Sequence, residues 1–236
     1  MGRLLLFGLI TWVTGNPLLA LVVVLAITAA GYGYLFGRLF QIPRAVNRWL
    51  AIRELGRAVH TNPHDATAQA DLGRLLVEAG QPARALSHLE AAWARAPEVP
   101  ENAYYLGAAR LRLGDGAGGR PLIEEALGRD PRLGYGEPHL RLADYYLDQG
   151  DAAEALVHLE RFAEIHASSV EGRYKLGRAY LATGRPDLAR AALDDAVRAY
   201  QGAPSFKRRE QRLWRLRAGW LRWQLSGTRG DGAGTP

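Results

Sequence analysis

The chain has 236 residues, no cysteine and a formal net charge of +6. Without cysteine there is no disulfide, no thiolate metal site, no cysteine nucleophile and no lipid-anchoring thiol. The charge is uneven: residues 1–58 and 206–236 are basic and the stretch between them is mildly acidic, which argues against nucleic acid lying along the middle of the chain.

No residue is charged between Arg3 and Arg38. Residues 1–16 contain a short apolar stretch, Leu4 to Val13, too short to cross a bilayer and read as interfacial or re-entrant. Residues 17–37 read as a transmembrane helix. The run from Leu18 to Phe36 is close to the length a bilayer needs, and Asn16-Pro17 supplies a capping side chain followed by a first-turn proline. A cleaved signal peptide fits less well, because the arginine cluster follows the apolar run. Arg38, Arg44 and Arg48, with Arg53 and Arg57 beyond, place the rest of the chain in the cytoplasm by the positive-inside rule. The expected location is a bacterial inner membrane, crossed once; Arg3 leaves the inverted orientation open. Gly33 and Gly37 have the small-x-x-x-small spacing that allows a homodimer through this helix.

Residues 38–65 form a basic juxtamembrane segment, with Ala51, Leu55, Ala58 and Pro63 in the phase of the repeats that follow. From 66 to 201 a pattern of Leu-Gly, then a turn glycine, then alanine recurs: Leu72-Gly73, Gly80 and Ala85; Leu106-Gly107 and Gly114; Leu176-Gly177, Gly184 and Ala189. A fixed period near 34 residues marks stacked helical hairpins. Ala, Leu and Arg favour helix throughout, so the class is all-α.

These residues resemble the tetratricopeptide repeat family. The repeat from Ala66 matches at Leu72, Gly73, Ala85, Leu89, Ala92 and Pro97, and the repeat from Pro100 at Leu106, Gly107, Ile123, Ala126 and Pro131. The repeat from Gly136 keeps Leu142, Tyr146, Gly150, Ala155 and Leu159, and the repeat from Val170 keeps Leu176, Gly177, Tyr180, Gly184, Ala189, Leu193 and Ala196. Departures are Gly119 for alanine, Ala143 for glycine, Phe162 for alanine and Ala167 for proline. The resemblance implies four repeats in a helical-hairpin solenoid over 66–201. It also implies a concave face lined by the first helix of each repeat. Carried over, the partner-binding candidates are Arg74, Tyr104, Asp144, Tyr174 and Arg178, while Leu111, Leu147 and Leu181 on the same face read as packing. The lysine and asparagine set with which some relatives hold a terminal carboxylate is missing.

No catalytic or metal site can be argued. Gly114 to Gly119 is glycine-rich, but it joins two helices and lacks a following Lys-Ser/Thr; it reads as a widened turn, with Pro121 starting a shortened helix. His60 and His64 are separated by a helix-ending Pro63, and Glu124-Glu125 and Asp194-Asp195 point to different helix faces. No cofactor is expected.

Residues 202–225 read as a basic amphipathic helix that caps the array. Phe206, Leu213, Leu216, Trp220 and Trp223 form a stripe expected to cover the last repeat, with Arg208, Arg212, Arg215 and Arg222 opposite as contacts for an acidic surface. The glycine-rich tail, 226–236, reads as disordered. The function this suggests is a membrane-anchored scaffold whose groove takes a protein or peptide at the cytoplasmic face, like the small bacterial membrane proteins that hang such repeats from one amino-terminal helix. A periplasm-facing chaperone for exported polypeptides is the alternative, and an enzyme the remote one.

Overall fold

The computed structural model describes residues 44–227 and a few single positions before them. It divides into two compact units, Met1–Arg53 and Glu54–Pro236. Those single positions apart, the interfacial segment 1–16 and the membrane helix 17–37 lie outside the described residues. So do Arg38, the Gly33–Gly37 dimer contact and tail residues 228–236. No helix among the described residues is long and apolar enough to cross a membrane.

Every regular element of the described residues is helical. Helix α1 is Arg44–Thr61 and carries Arg44 and Arg48. Four hairpins follow: α2 (Ala66–Glu78) with α3 (Pro82–Arg95), α4 (Pro100–Arg112) with α5 (Gly116–Arg129), α6 (Glu137–Asp148) with α7 (Ala152–Ile165), and α8 (Val170–Ala182) with α9 (Pro186–Gly202). Helix α10, Ser205–Gly227, closes the array.

Local chemistry sets these boundaries. Asp65, Asp115, Asp151 and Ser169 each accept a backbone N–H from the first turn of α2, α5, α7 and α8, at 2.8–3.1 Å. Each cap is worth about 1 kcal/mol. Pro82, Pro100 and Pro186 open α3, α4 and α9, where a missing N–H costs nothing. Inside each hairpin the turn glycine (Gly80, Gly114, Gly150, Gly184) has φ between 70° and 86°, a conformation strained for any residue with a Cβ.

The core is a ladder of leucines between paired helices. Leu76, Leu89, Leu106, Ile123, Leu142, Leu159 and Leu193 are buried almost completely, each contributing about 2 kcal/mol. Helices approach closely at the Leu-Gly glycines. A Cβ on Gly73 would sit 2.5 Å from Leu89, and one on Gly177 2.9 Å from Leu193. The departures from the repeat pattern are matched to their surroundings. Gly119 faces Gly107, and a Cβ on either would come within 2.6–2.7 Å of the other's carbonyl oxygen. Phe162 takes the space left by Gly172 and Gly136, whose added Cβ atoms would meet its ring at 2.4 and 3.2 Å.

The glycine-rich stretch differs from the expected widened turn. Only Leu113, Gly114 and Asp115 link the helices; Gly116 to Gly119 are already helical, and Pro121 lies inside α5 instead of starting it. The Asp115 cap nucleates the helix early, and proline so near the amino terminus removes a single intrahelical bond.

Between the second and third hairpins the connection is longer, a 3₁₀ turn at Leu133–Gly136 in which Gly134, Tyr135 and Gly136 all have positive φ. Tyr135, at φ 55°, is strained and its side chain is 81% exposed. Helix α5 touches α6 far less than α3 touches α4 or α7 touches α8, because this turn stands between them.

Helix α10 corrects a second expectation. The stripe of Phe206, Leu213, Leu216, Trp220 and Trp223 does not cover the last repeat; all five are exposed. The packed face is Trp214, Ala218, Leu221 and Leu225, set against Val170, Tyr174, Leu193, Ala196 and Tyr200. Ala218, wholly buried, lets the helix come close, and polar bonds fix its rotation: Arg222 to Asp194 at 2.7 Å and Arg190 to the Leu225 carbonyl at 2.7 Å. Two apolar stripes were available in the sequence, and the one with the small residue at its centre fits the end of the array.

Candidate functional site: a trough along the inner helices

The first helices of the hairpins line a trough. One hollow of ≈ 370 Å³ is bounded by Val77 and Glu78 of α2, by Glu101, Tyr104 and Tyr105 of α4 and by Glu137 of α6. A second, ≈ 400 Å³, is bounded by Leu111, Asp144, Tyr145 and Asp148. Both share Ala108, Arg112 and Arg141, so they are continuous.

Ion pairs run along the trough floor. Arg74 bonds Asp71 at 3.3 Å and Glu78 at 3.1 Å. Arg141 is held by Glu137 and reaches Asp144 at 3.9 Å. Lys175, buried on α8, bonds Asp144 of α6 at 2.7 Å and Glu171 at 2.6 Å, and lies 5.4 Å from the Trp214 ring of α10. Arg112 donates to the Val77 carbonyl, tying α4 to α2. Charged side chains therefore tie the first layer to the second and the third to the fourth. Burial works against the Arg141 charge, but Glu137 and Tyr104 outweigh it and its pKa is raised. Tyr104 is held neutral, chiefly by burial and then by the Glu137 charge.

The sequence candidates are distributed unevenly over this floor. Tyr104 and Asp144 line the trough, although Tyr104 is only 5% exposed and acts mainly as wall. Arg74 is engaged by its own helix. Tyr174 lies against Trp214, with ring centroids 5.7 Å apart, so α10 occupies part of that end. Arg178 is exposed near it. Sequence reasoning missed Tyr105, Arg141 and Lys175, which share one place in their repeats, next to the Tyr104 position. The missing signal was this adjacent column, charged or aromatic in every repeat: Asp71, Tyr105, Arg141, Lys175. Of the proposed acidic-surface residues, Arg208, Arg212 and Arg215 are exposed and Arg222 is turned to Asp194.

A larger hollow, ≈ 810 Å³, lies between the 133–136 turn and α7, lined by Arg132, Tyr135, His139, Arg161 and Glu164. Behind it His139 and His158 meet Nδ1 to Nδ1 at 3.1 Å, with Tyr146 stacked on His158 at 5.6 Å. One ring donates and the other accepts, so the contact requires at least one neutral imidazole. Burial, then the charges of His158 and Arg161, lower His139 to about 4; burial lowers His158 too. An unfolded histidine titrates near 6.5. The unfolded chain therefore binds more protons below that pH, and this contribution to stability, full above pH 6.5, is lost as pH falls towards 4. After discounting for the rings' partial exposure the loss is roughly 1–2 kcal/mol. Thermal melts should show a drop in midpoint from pH 7 to pH 5 that is smaller in His139→Gln; equal drops would remove the pair as its source.

The family model for the tetratricopeptide repeat matches residues 50–109, 76–135 and 146–213. The chain belongs to the tetratricopeptide repeat family. Solved TPR structures share the fold at low identity. A MamA crystal structure is 19% identical over 67% of this chain and 85% of its own, with a TM-score of 0.57. A thermophilic TPR protein of Thermus thermophilus is 23% identical over 75% and 93%, TM-score 0.58. YrrB, described as a TPR protein with an unusual peptide-binding site, is 20% identical over 67% and 81%, TM-score 0.53. No curated protein matches the chain at a significant level. As a TPR protein it is an interaction scaffold by class, with peptides or proteins as the partners such repeats take.

Proposed function

We propose that this TPR protein is a membrane-anchored scaffold, not an enzyme, and that its trough holds a segment of a partner protein at the cytoplasmic face of a bacterial inner membrane. The observation that carries the binding role is the continuous trough over α2, α4 and α6, floored by interlocked charges and walled by Tyr104 and Tyr105. A fixed floor with a half-buried aromatic, Tyr105, beside it suits a peptide held by a few anchors. YrrB is a structural neighbour described by its peptide-binding site, which favours the same use. The anchor rests on the uncharged run from Leu18 to Phe36 and the orientation on the arginines that follow it.

A photo-crosslinking residue at Tyr105 in the full chain should capture a discrete partner from intact membranes. Tyr105→Ala should weaken binding of that partner by roughly tenfold or more, the usual loss at an aromatic anchor, with the helical content unchanged. Undiminished affinity would move the binding surface elsewhere. A reporter fused after residue 60 checks orientation: alkaline phosphatase activity there would place the repeats outside the cytoplasm.

A further inference from the structure

Helix α10 has two apolar faces, and only one is used. The inner face is packed and pinned by the Arg222–Asp194 and Arg190–Leu225 bonds. The outer face presents Phe206 (65% exposed), Leu213 (68%), Leu216 (50%), Trp220 (59%) and Trp223 (65%) to solvent. The two indoles touch, with ring centroids 5.1 Å apart. By helical spacing Arg212 borders this stripe, Arg208 lies a step further round and Arg209 lies within it, all exposed, while Arg215 is turned towards the Tyr200 ring, 5.8 Å away.

We propose that this face of α10 lies on an anionic lipid surface, the aromatic and leucine side chains entering the headgroup layer and the arginines meeting lipid phosphates. From Phe206 to Trp223 the stripe extends about 26 Å along a single helix, a strip suited to a plane more than to a pocket. The helix carries Lys207, Arg208, Arg209, Arg212, Arg215, Arg217 and Arg222 against Glu210, so the occupant is negative. A second copy of this chain, paired through the same face, would set these arginines against their own equivalents. Aromatics and leucines on one face with arginines at its edge are the composition of a helix lying in a membrane interface. The inference rests on the anchoring proposed above, which would concentrate the helix at the leaflet richest in anionic lipid.

The absence of cysteine makes the test direct. The full chain would carry a nitroxide at Leu213→Cys or, as a control on α7, at Val157→Cys. It would be mixed with vesicles of phosphatidylcholine alone or of equal parts phosphatidylcholine and phosphatidylglycerol. Support is a several-fold rise in the oxygen-to-nickel accessibility ratio at position 213, not at 157, in the anionic vesicles. Changing Arg208, Arg209 and Arg212 together to Gln should then cut the lipid-immersed population by roughly tenfold or more. If the chain floats with both vesicle types while position 213 stays as water-accessible as 157, the lipid face is overturned and the anchor stands. If it floats only with anionic vesicles and position 213 is immersed, the lipid face stands and the anchor falls. If it floats with neither, both fall. Spin–spin broadening at position 213 in detergent would replace the lipid with a second copy.

Discussion

Gly107→Ala should destabilise the array by about 3 kcal/mol. The new Cβ would sit 2.6 Å from the Gly119 carbonyl oxygen, 2.7 Å from Ile123 and 3.1 Å from Leu122. The first of these atoms is backbone, so no rotamer change relieves it; α4 and α5 must move apart and lose the packing between them. Because α4 also carries Tyr105, Ala108 and Arg112, the trough should loosen with the core. Gly128→Ala is the control, since α5 leaves nothing within 4 Å of that added carbon. There the helix-propensity gain should raise stability by about 0.5–1 kcal/mol. Urea denaturation of both variants decides the matter; equal effects would mean that the Gly107–Gly119 approach is not tight.

Lys175→Met should cost about 2 kcal/mol. The ammonium is buried and shared by Asp144 and Glu171, whose side chains are 35% and 30% exposed. Removing it leaves two carboxylates facing each other with only partial access to water. The cost stays below that of a fully buried pair because both can still hydrate from one side. Asp144→Asn in the same background should recover part of the loss, and a double-mutant cycle by denaturant unfolding isolates the coupling. Additive effects would show that the lysine acts through its stem and Trp214 alone.

The repeats were legible because their determinants are local and recur. Turn glycines, capping aspartates and Leu-Gly steps each fix one boundary or one contact, and four phased copies reinforce one another. The trough was only half legible. The face could be carried over from a resemblance, but which side chains stand free depends on pairings between layers. Lys175 with Asp144 and Arg112 with Val77 join residues more than 30 positions apart, and no local pattern announces them. Tyr174 shows the same limit: Trp214, which packs beside it, lies on another element. In α10 the ambiguity was rotational, since a helix with two apolar stripes does not say which one turns inwards until the surface receiving it exists. Gly114 to Gly119 misled through composition, because glycine there serves close packing against Gly107 more than chain reversal.

The long turn at Leu133–Gly136 also has mechanical weight. A solenoid holds together through nearest-neighbour interfaces, and its cohesion is set by the thinnest of them. Here that is the meeting of α5 with α6, so the array is two blocks, α2 to α5 and α6 to α10, that share a core through Leu142 but meet most thinly at this seam. The trough crosses this seam, with Val77, Glu101 and Tyr105 on one bank and Glu137 and Arg141 on the other. A segment lying in it would act as a splint: whatever free energy holds it to both banks also holds the blocks to each other.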